Sequence, residues 1–489
     1  MTIITNEAHP TLIPLIIDNA SVETATRFDV TNPKSGQVIY QCSSASVEEA
    51  NRAVEAAQAA FHVWSNLKPT DRTELLWKAA DIMLSRKEEL VRYQEEETGS
   101  GGAFAASTVM LGVNFLRQFA GRISSIEGTV PTVAQEGQSA VVVKEPYGVI
   151  LGIAPWNAPF ILGIRAVALP LAAGNTTILK GSELSPKCFW AIGDIFRQAG
   201  FPKGCVNILY HQLSDAERVT TALIAHPVVK KVTFTGSTRT GSIIASTAGK
   251  YIKPLLLELG GKASCIVLDD ADLNKAAMGC ALGSFLHSGQ VCMSTERIIV
   301  QRSIAESFRK VLVDTTEKVF GTSAPPTFLV TPASIEKNNK LISDAVFKGA
   351  SVLFGDPNMH EPRPTSMRPL IVENVTKEMD LYRTESFGPT VSLYIVDSEE
   401  EAITLANDTE YGLSAAVYTE ELRRGLRVAR RIESGSVTVT GRAVHINSMT
   451  IHDEPVLPHG GYKTSGFGRF GGSVGFDEFL QTKTITWLD

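Results

Sequence analysis

Cys292 lies in the stretch SGQVCMS, among small and polar residues. A thiolate is a strong nucleophile, and a loop entering a new element offers backbone N–H groups that can stabilise one. A cysteine can equally be an inert core thiol, a role that suits Cys188, Cys265 and Cys280, and local composition alone leaves both readings open. Glu258 ends the apolar run KPLLLE and precedes two glycines. A carboxylate placed there is costly unless paired or protonated, and a buried one is suited to general-base work, although a rim carboxylate held by nearby N–H groups fits the same residues. Asn157 sits in APWNAP, where flanking prolines stiffen the backbone. A fixed amide can donate to an oxyanion, and an Asx-turn beside proline is the competing reading. Two further stretches suit a nucleotide. ILKGSE puts Lys180 and Glu183 just past an apolar strand, within reach of ribose or phosphate. FTGSTRTG puts Gly236, Ser237 and Gly241 between a strand and a helix, where helix-start N–H groups can hold a pyrophosphate. Neither stretch is the G-x-G-x-x-G fingerprint, and a Gly-Ser turn is common in α/β proteins.

These residues need elements to position them. Residues 46–65 read as a helix with Ser46 as N-cap and Glu49 three positions on. A second helical run spans 71–99 with Gly99 as its stop, and a third spans 106–123. Ahead of them, RFDVTNPKSGQVI reads as strand, turn, strand. From 141 the texture changes to alternating strands and helices: NTTILKG, PKCFWAIGDIFRQAG, GCVNILY, DAERVTTALIAHP, VVKKVTFTG and TRTGSIIASTAGKY. That alternation predicts a largely parallel sheet covered by helices, with ligands at the carboxyl ends of its strands. A second α/β region opens near 258 with SCIVLDD, a helix capped by Asp272, ERIIVQ and the helix 304–320, and continues with TVSLYIVD, SEEEAITLAND and GLSAAVYT. Residues 356–368 read as a loop and the tail FLQTKTITWLD as an edge strand.

Bulk properties narrow the function classes. With 489 residues, 44% hydrophobic, the chain can bury large cores in two or three domains. The net charge of −6 and the lack of a basic tail argue against a nucleic-acid partner. Pro146–Ile164 carries no charge, but its three prolines and Asn157 fit a buried strand, loop and helix start better than a membrane span. The opening residues have no basic region or apolar core of a secretory leader, so a cytoplasmic protein is expected. Six scattered cysteines without CxxC or zinc-like spacing predict free thiols, no disulfide framework and no metal.

In combination the motifs resemble the aldehyde dehydrogenase superfamily. LELGGK at 257–262, SGQVC at 288–292, APWNAP, LKGSE, FTGSTRTG, ESFGP at 385–389 and SGFGR at 465–469 match in order and spacing, and the likeness runs from about residue 12 to 487. The resemblance implies that Cys292 is the nucleophile, Glu258 the general base and Asn157 an oxyanion donor. It implies NAD as cofactor, with Lys180 and Glu183 at the adenosine ribose and Glu183 disfavouring a 2′-phosphate. Ser237, with Gly236 and Gly241, would lie by the pyrophosphate, Glu385 at the nicotinamide ribose, Phe387 by the ring, and Ile153, Pro155, Trp156 and Leu259 around the cofactor. The fold it implies is α/β: a Rossmann-like cofactor domain (1–121 and 142–257), an α/β catalytic domain (258–455) and a small bridging sheet (122–141 and 470–489) of a homodimer or homotetramer.

The stretch NAPFILGIRAVALPLAAGNT is similar to the aromatic-aldehyde branch, the salicylaldehyde and vanillin dehydrogenases. If Asn157 and Arg165 share one helical run, they lie about two turns apart on one face. Arg165 could then line the substrate channel, or it could be a structural ion-pair partner. Leu286, His287 and Met293 are candidate pocket walls, with Phe285 and Tyr462 weaker ones. The expected partner is a small-molecule aldehyde. Competing functions are oxidation of aliphatic aldehydes, acyl transfer to coenzyme A, a cysteine hydrolase using His287, and an idle structural member of the fold.

Overall fold

A computed structural model describes residues 12–358, 363–435 and 444–488. The start of the chain (1–11), read above as lacking a leader, and part of the 356–368 loop (359–362) lie outside the described residues. Two large sheets organise the molecule. The first has eight strands, in the order Gly466–Phe467, Leu255–Glu258, Val229–Thr235, Val149–Ile153, Thr176–Lys180, Val206–Leu209, Leu15–Ile17 and Ala20–Val22. Its five middle strands are parallel. Val149–Ile153 and Val206–Leu209 are buried throughout, as a parallel sheet with both faces covered requires. The chain runs outward from Val149–Ile153 in one direction and then returns to build Val229–Thr235 on its other side. That reversal opens a crevice at the carboxyl ends of these two strands.

The second sheet has seven strands: Ser351–Phe354, Leu370–Glu373, Thr390–Val396, Thr295–Gln301, Ala263–Val267, Ala415–Tyr418 and Val444–Ile446. Only the Ser351–Phe354 edge is antiparallel. A separate two-stranded antiparallel ribbon pairs Gln138–Pro146 with Leu480–Leu488 in continuous register. The tail is therefore a strand, as expected, but its neighbour extends to Pro146, and Phe470, Phe476 and Phe479 pack in the core of the first sheet.

Local chemistry accounts for most boundaries. Ser46 and Glu49 form the full capping box of Val47–Ser65, and Asp272 accepts from Asn274 and Lys275 to start Leu273–Phe285. The 71–99 run departs from expectation. It is two helices, Pro69–Ser85 and Lys87–Thr98, broken at Arg86, which turns aside to pair with Asp194. The uncharged 146–164 stretch is a strand end, the strand Val149–Ile153, a loop and the start of Pro159–Ala172. Among the described residues no helix is long and apolar enough to cross a membrane. No group of three or more His, Cys, Asp or Glu side chains among them could hold a metal ion.

Candidate active site

The strand ends deliver the site. Val149–Ile153 runs into Ala154-Pro155-Trp156-Asn157, and Val229–Thr235 into Gly236 and Ser237. Ser237 caps Thr238–Lys250, its hydroxyl accepting from the Thr240 N–H. Glu258 is the last residue of Leu255–Glu258, in register with Thr235. Cys292 arrives from the other sheet, after Leu286–Gly289 and before Thr295–Gln301. His287, Ser288 and Gly289 in that turn all have positive φ, of 49°, 56° and 72°. At Gly289 a Cβ would also lie 2.1 Å from the Gly388 carbonyl oxygen, so this turn needs glycine. Gly261 is needed for approach: its Cβ would come within 2.3 Å of the Cys292 carbonyl oxygen.

These segments enclose a cavity of 320 Å³. Pro155, Trp156, Asn157, Gly236, Ser237, Glu258, Leu259, Cys292, Glu385 and Phe387 all line it. So do Thr235, Gly260, Leu184 and, from the far side, Val330, Thr331, Ser334 and Lys337, which the sequence reading did not single out. Thr331 and Pro332 start the helix Pro332–Phe347, a Thr-Pro cap signal that was present in the sequence. Lys180, Glu183, Ile153 and Gly241 are not walls of the cavity. Lys180 ends the strand beside Ile153, with Glu183 just beyond, and Gly241 lets the helix lie against Leu259.

Cys292 differs from the other five cysteines, which are fully buried. It is reachable through the cavity and otherwise enclosed. That enclosure pushes its thiol well above the usual range, and the Glu258 and Glu385 carboxylates push it further the same way. Asn157 is buried, and its amide donates to the Gln290 carbonyl at 2.9 Å. Gln290 in turn donates to the carbonyls of His287 and Phe328 and accepts from the Val330 N–H, so the turn before Cys292 is anchored on both sides.

The Glu385 carboxyl, pushed up to about 7 chiefly by burial, accepts from the Gly261 N–H at 2.8 Å. The turn that carries it is held by Glu296. One oxygen of Glu296 accepts from the Ser386 N–H and hydroxyl, both at 2.8 Å, and from the Phe387 N–H at 3.2 Å. Its other oxygen takes the Lys262 ammonium at 2.7 Å. Phe387, with φ of 49°, meets Trp156 edge-on at 6.0 Å. Sequence reasoning missed Glu296 and Lys262.

The proposed substrate residues are placed otherwise. The helix begins at Pro159, so Asn157 and Arg165 do not share a helical run. Arg165 is 1% exposed, is not a wall of the cavity, and pairs with Glu258 and with Asp453. Met293 joins Val291, Leu413, Phe104 and Ile451 in an apolar cluster around Cys292. His287 stacks on Phe104 at 4.6 Å, and burial pushes its imidazole down to about 3, which makes it a poor base. Leu286, just before it, is not a wall of the cavity. Phe285 packs in the core against Phe320, and Tyr462 sits in a short strand paired with Tyr411–Gly412.

The donor set fits a dinucleotide. It offers a lysine and a carboxylate past one strand, a capped helix N-terminus past the next, a carboxyl at the far end and an aromatic pair between. A family profile described as "Aldehyde dehydrogenase family" matches residues 20–485. The chain is 40% identical to the vanillin dehydrogenase of Pseudomonas sp. (strain HR199 / DSM 7063) over 97% of both chains. It is 35% identical to the mitochondrial succinate-semialdehyde dehydrogenase of Oryza sativa subsp. japonica, over 94% of this chain and 85% of that protein. The crystal structure of a salicylaldehyde dehydrogenase from Pseudomonas putida G7 complexed with salicylaldehyde superposes with a TM-score of 0.93 at 36% identity, over 98% of this chain and 99% of that one. The two α/β sheets and the cysteine-lined crevice between them are those of a dehydrogenase acting on aldehydes. The chain belongs to the aldehyde dehydrogenase family, whose members use NAD(P).

Proposed function

We propose that this enzyme oxidises an aromatic aldehyde to the carboxylic acid with NAD and water. The observation that carries the reading is the convergence of Cys292, Glu258 and Asn157, from three separate segments, on one 320 Å³ cavity. The Cys292 thiol gives its proton to water in the cavity, and its sulfur bonds to the aldehyde carbon as the C=O π pair moves to oxygen. That oxygen is met by the Asn157 amide and the Cys292 backbone N–H. Bound NAD would accept the hydride that this carbon then gives up, leaving a thioester on Cys292. Glu258 takes a proton from water, the water oxygen bonds to the acyl carbon, the C–S bond breaks, and thiolate and acid result. Lys180, Glu183, Ser237, Glu385 and Phe387 would hold the cofactor, with the Glu183 carboxylate repelling a 2′-phosphate.

The vanillin and salicylaldehyde dehydrogenases among the relatives named above support an aromatic ring as substrate. The exposed Ile485, Trp487 and Leu488 on the Leu480–Leu488 strand support a homodimer or homotetramer built through that ribbon. The test is NADH formation with benzaldehyde, salicylaldehyde, vanillin, a short aliphatic aldehyde and betaine aldehyde, each with NAD and with NADP. The aromatic aldehydes should give kcat/KM at least about tenfold above the others, with NAD preferred. A preference for the aliphatic substrates would contradict the aromatic assignment, and equal rates with NADP would contradict the role of Glu183.

A further inference from the structure

Beside the cavity lies a buried charged cluster of which the reaction scheme uses only Glu258. Arg165, on Pro159–Ala172, is 1% exposed, and a guanidinium so enclosed needs compensating charge. It has two carboxylates. Its Nη2 pairs with Glu258 Oε2, and its Nη1 donates to Asp453 Oδ2 at 3.2 Å. The guanidinium carbon lies 4.5 Å from the centre of the Phe470 ring, a cation–π contact. The four groups come from separate parts of the chain, so no local turn explains their meeting.

The two oxygens of Glu258 are unequal. Oε2 is committed to Arg165. Oε1 is buried and accepts no hydrogen bond among the described residues. The Nε2 of His459 lies 3.3 Å from Oε1 but without hydrogen-bond geometry. Glu258 is nevertheless a wall of the cavity that Cys292 lines. One oxygen is thus anchored, and the other holds no hydrogen bond among the described residues.

We propose that Arg165 is a positioning residue for the hydrolytic half of the reaction, clamping Glu258 Oε2 against Asp453 so that Oε1 takes the proton from the attacking water. This rests on reading Glu258 as the base. Arg165 touches no reacting atom in this account, and it is not a reader of the substrate's ring substituents. Acylation sends the Cys292 proton to water and the hydride to NAD, so neither transfer uses Oε1 and both proceed without the clamp. Deacylation does not.

The test is rapid-mixing kinetics with benzaldehyde and NAD on the wild type, Arg165→Gln, Arg165→Lys and Glu258→Gln. Arg165→Gln should keep a first-turnover burst of NADH near one per site and lose at least about tenfold in kcat. Its acyl-Cys292 adduct should accumulate, and benzaldehyde KM should change by less than about threefold. Arg165→Lys keeps the buried charge but has one nitrogen where the fork has two. It should fold even if the Gln variant does not, and should show the same burst with an intermediate kcat. A wild-type kcat in either variant overturns the proposal, as does a raised KM at unchanged kcat, the pattern of a substrate-binding arginine. Loss of the burst in folded protein also overturns it. Glu258→Gln separates the two levels. If it turns over normally, the base assignment fails. If it stalls after the burst while both Arg165 variants do not, only the role of Arg165 fails.

Discussion

At the scale of single residues, the environment of Cys292 matters more than its chemical type. Five other cysteines are buried as deeply as core side chains, and Cys42, Cys188, Cys205 and Cys280 are held as neutral thiols by burial. Cys292 is also pushed toward the thiol form, but it alone faces the cavity. A thiol flanked by two carboxylates is protected from indiscriminate reaction, and a cationic ring bound beside it would offset those charges. Replacing it by serine keeps the shape and removes the nucleophile. Cys292→Ser should therefore lose aldehyde oxidation by at least about a thousandfold while binding NAD within a fewfold of wild type, measured by quenching of tryptophan fluorescence. Retained turnover in that variant would move the chemistry to another residue. Cys292, Glu258 and Asn157 were legible because each stands in a short run whose composition is odd for a core: a thiol after Gly-Gln, a carboxylate after three leucines, an amide between prolines. Arg165 was legible as unusual but not in its contacts. Its partner Asp453 is 288 residues away, and nothing local encodes that pairing.

At the scale of elements, two turns must keep a fixed relation across the cavity, one carrying Cys292 and the other Glu385 and Phe387. Glu296, four residues after the nucleophile, spans them. It gathers three donors from Ser386 and Phe387 and faces Lys262, which also donates to the Thr384 carbonyl at 2.8 Å. Both side chains are buried, so the pair stands only if each keeps its partner. Glu296→Gln turns an amide N–H₂ or a weaker acceptor toward the Lys262 ammonium. The expected loss is about 3 kcal/mol of stability together with a drop in NAD affinity of roughly tenfold or more. A chemical melt and a binding isotherm on the same sample check this, and unchanged affinity would show that the 384–387 turn holds itself. The alternation of strands and helices was readable because hydrophobic period and capping residues are local. The break at Arg86 was not, since no glycine or proline marks it, and one partner of the Arg86 side chain, Asp194, lies 108 residues on. The helix Pro332–Phe347 was a readable one that went unread.

At the scale of the whole molecule, the first sheet and its helices are tied together by a buried carboxyl far from the chemistry. Glu97 accepts from the Lys187 N–H at 2.8 Å and the Cys188 N–H at 3.0 Å, capping Pro186–Ala199 from another helix, and the Tyr40 hydroxyl also donates to it. Burial pushes its carboxyl up to about 7. An unfolded glutamate titrates near roughly 4.3. Between those values the folded state holds a proton that the unfolded state has released. The contribution of Glu97 is therefore full below the lower value and is lost as pH rises through the upper one, by up to about 3 kcal/mol. Glu97→Gln cannot titrate. The stability gap between wild type and this variant should shrink as pH is raised from about 4.5 to about 8, read from thermal midpoints across that range. A gap that stays constant or widens would contradict the assignment.

All of this depends on the Cys292 sulfur becoming acylated and on Glu258 being required to release the acyl group. The most direct measurement is intact-protein and peptide mass spectrometry of Glu258→Gln after brief mixing with NAD and benzaldehyde. A benzoyl mass increment is expected on the peptide containing Cys292, approaching one per chain and absent without NAD. An increment on any other side chain, or none while a burst of NADH is seen, would contradict it.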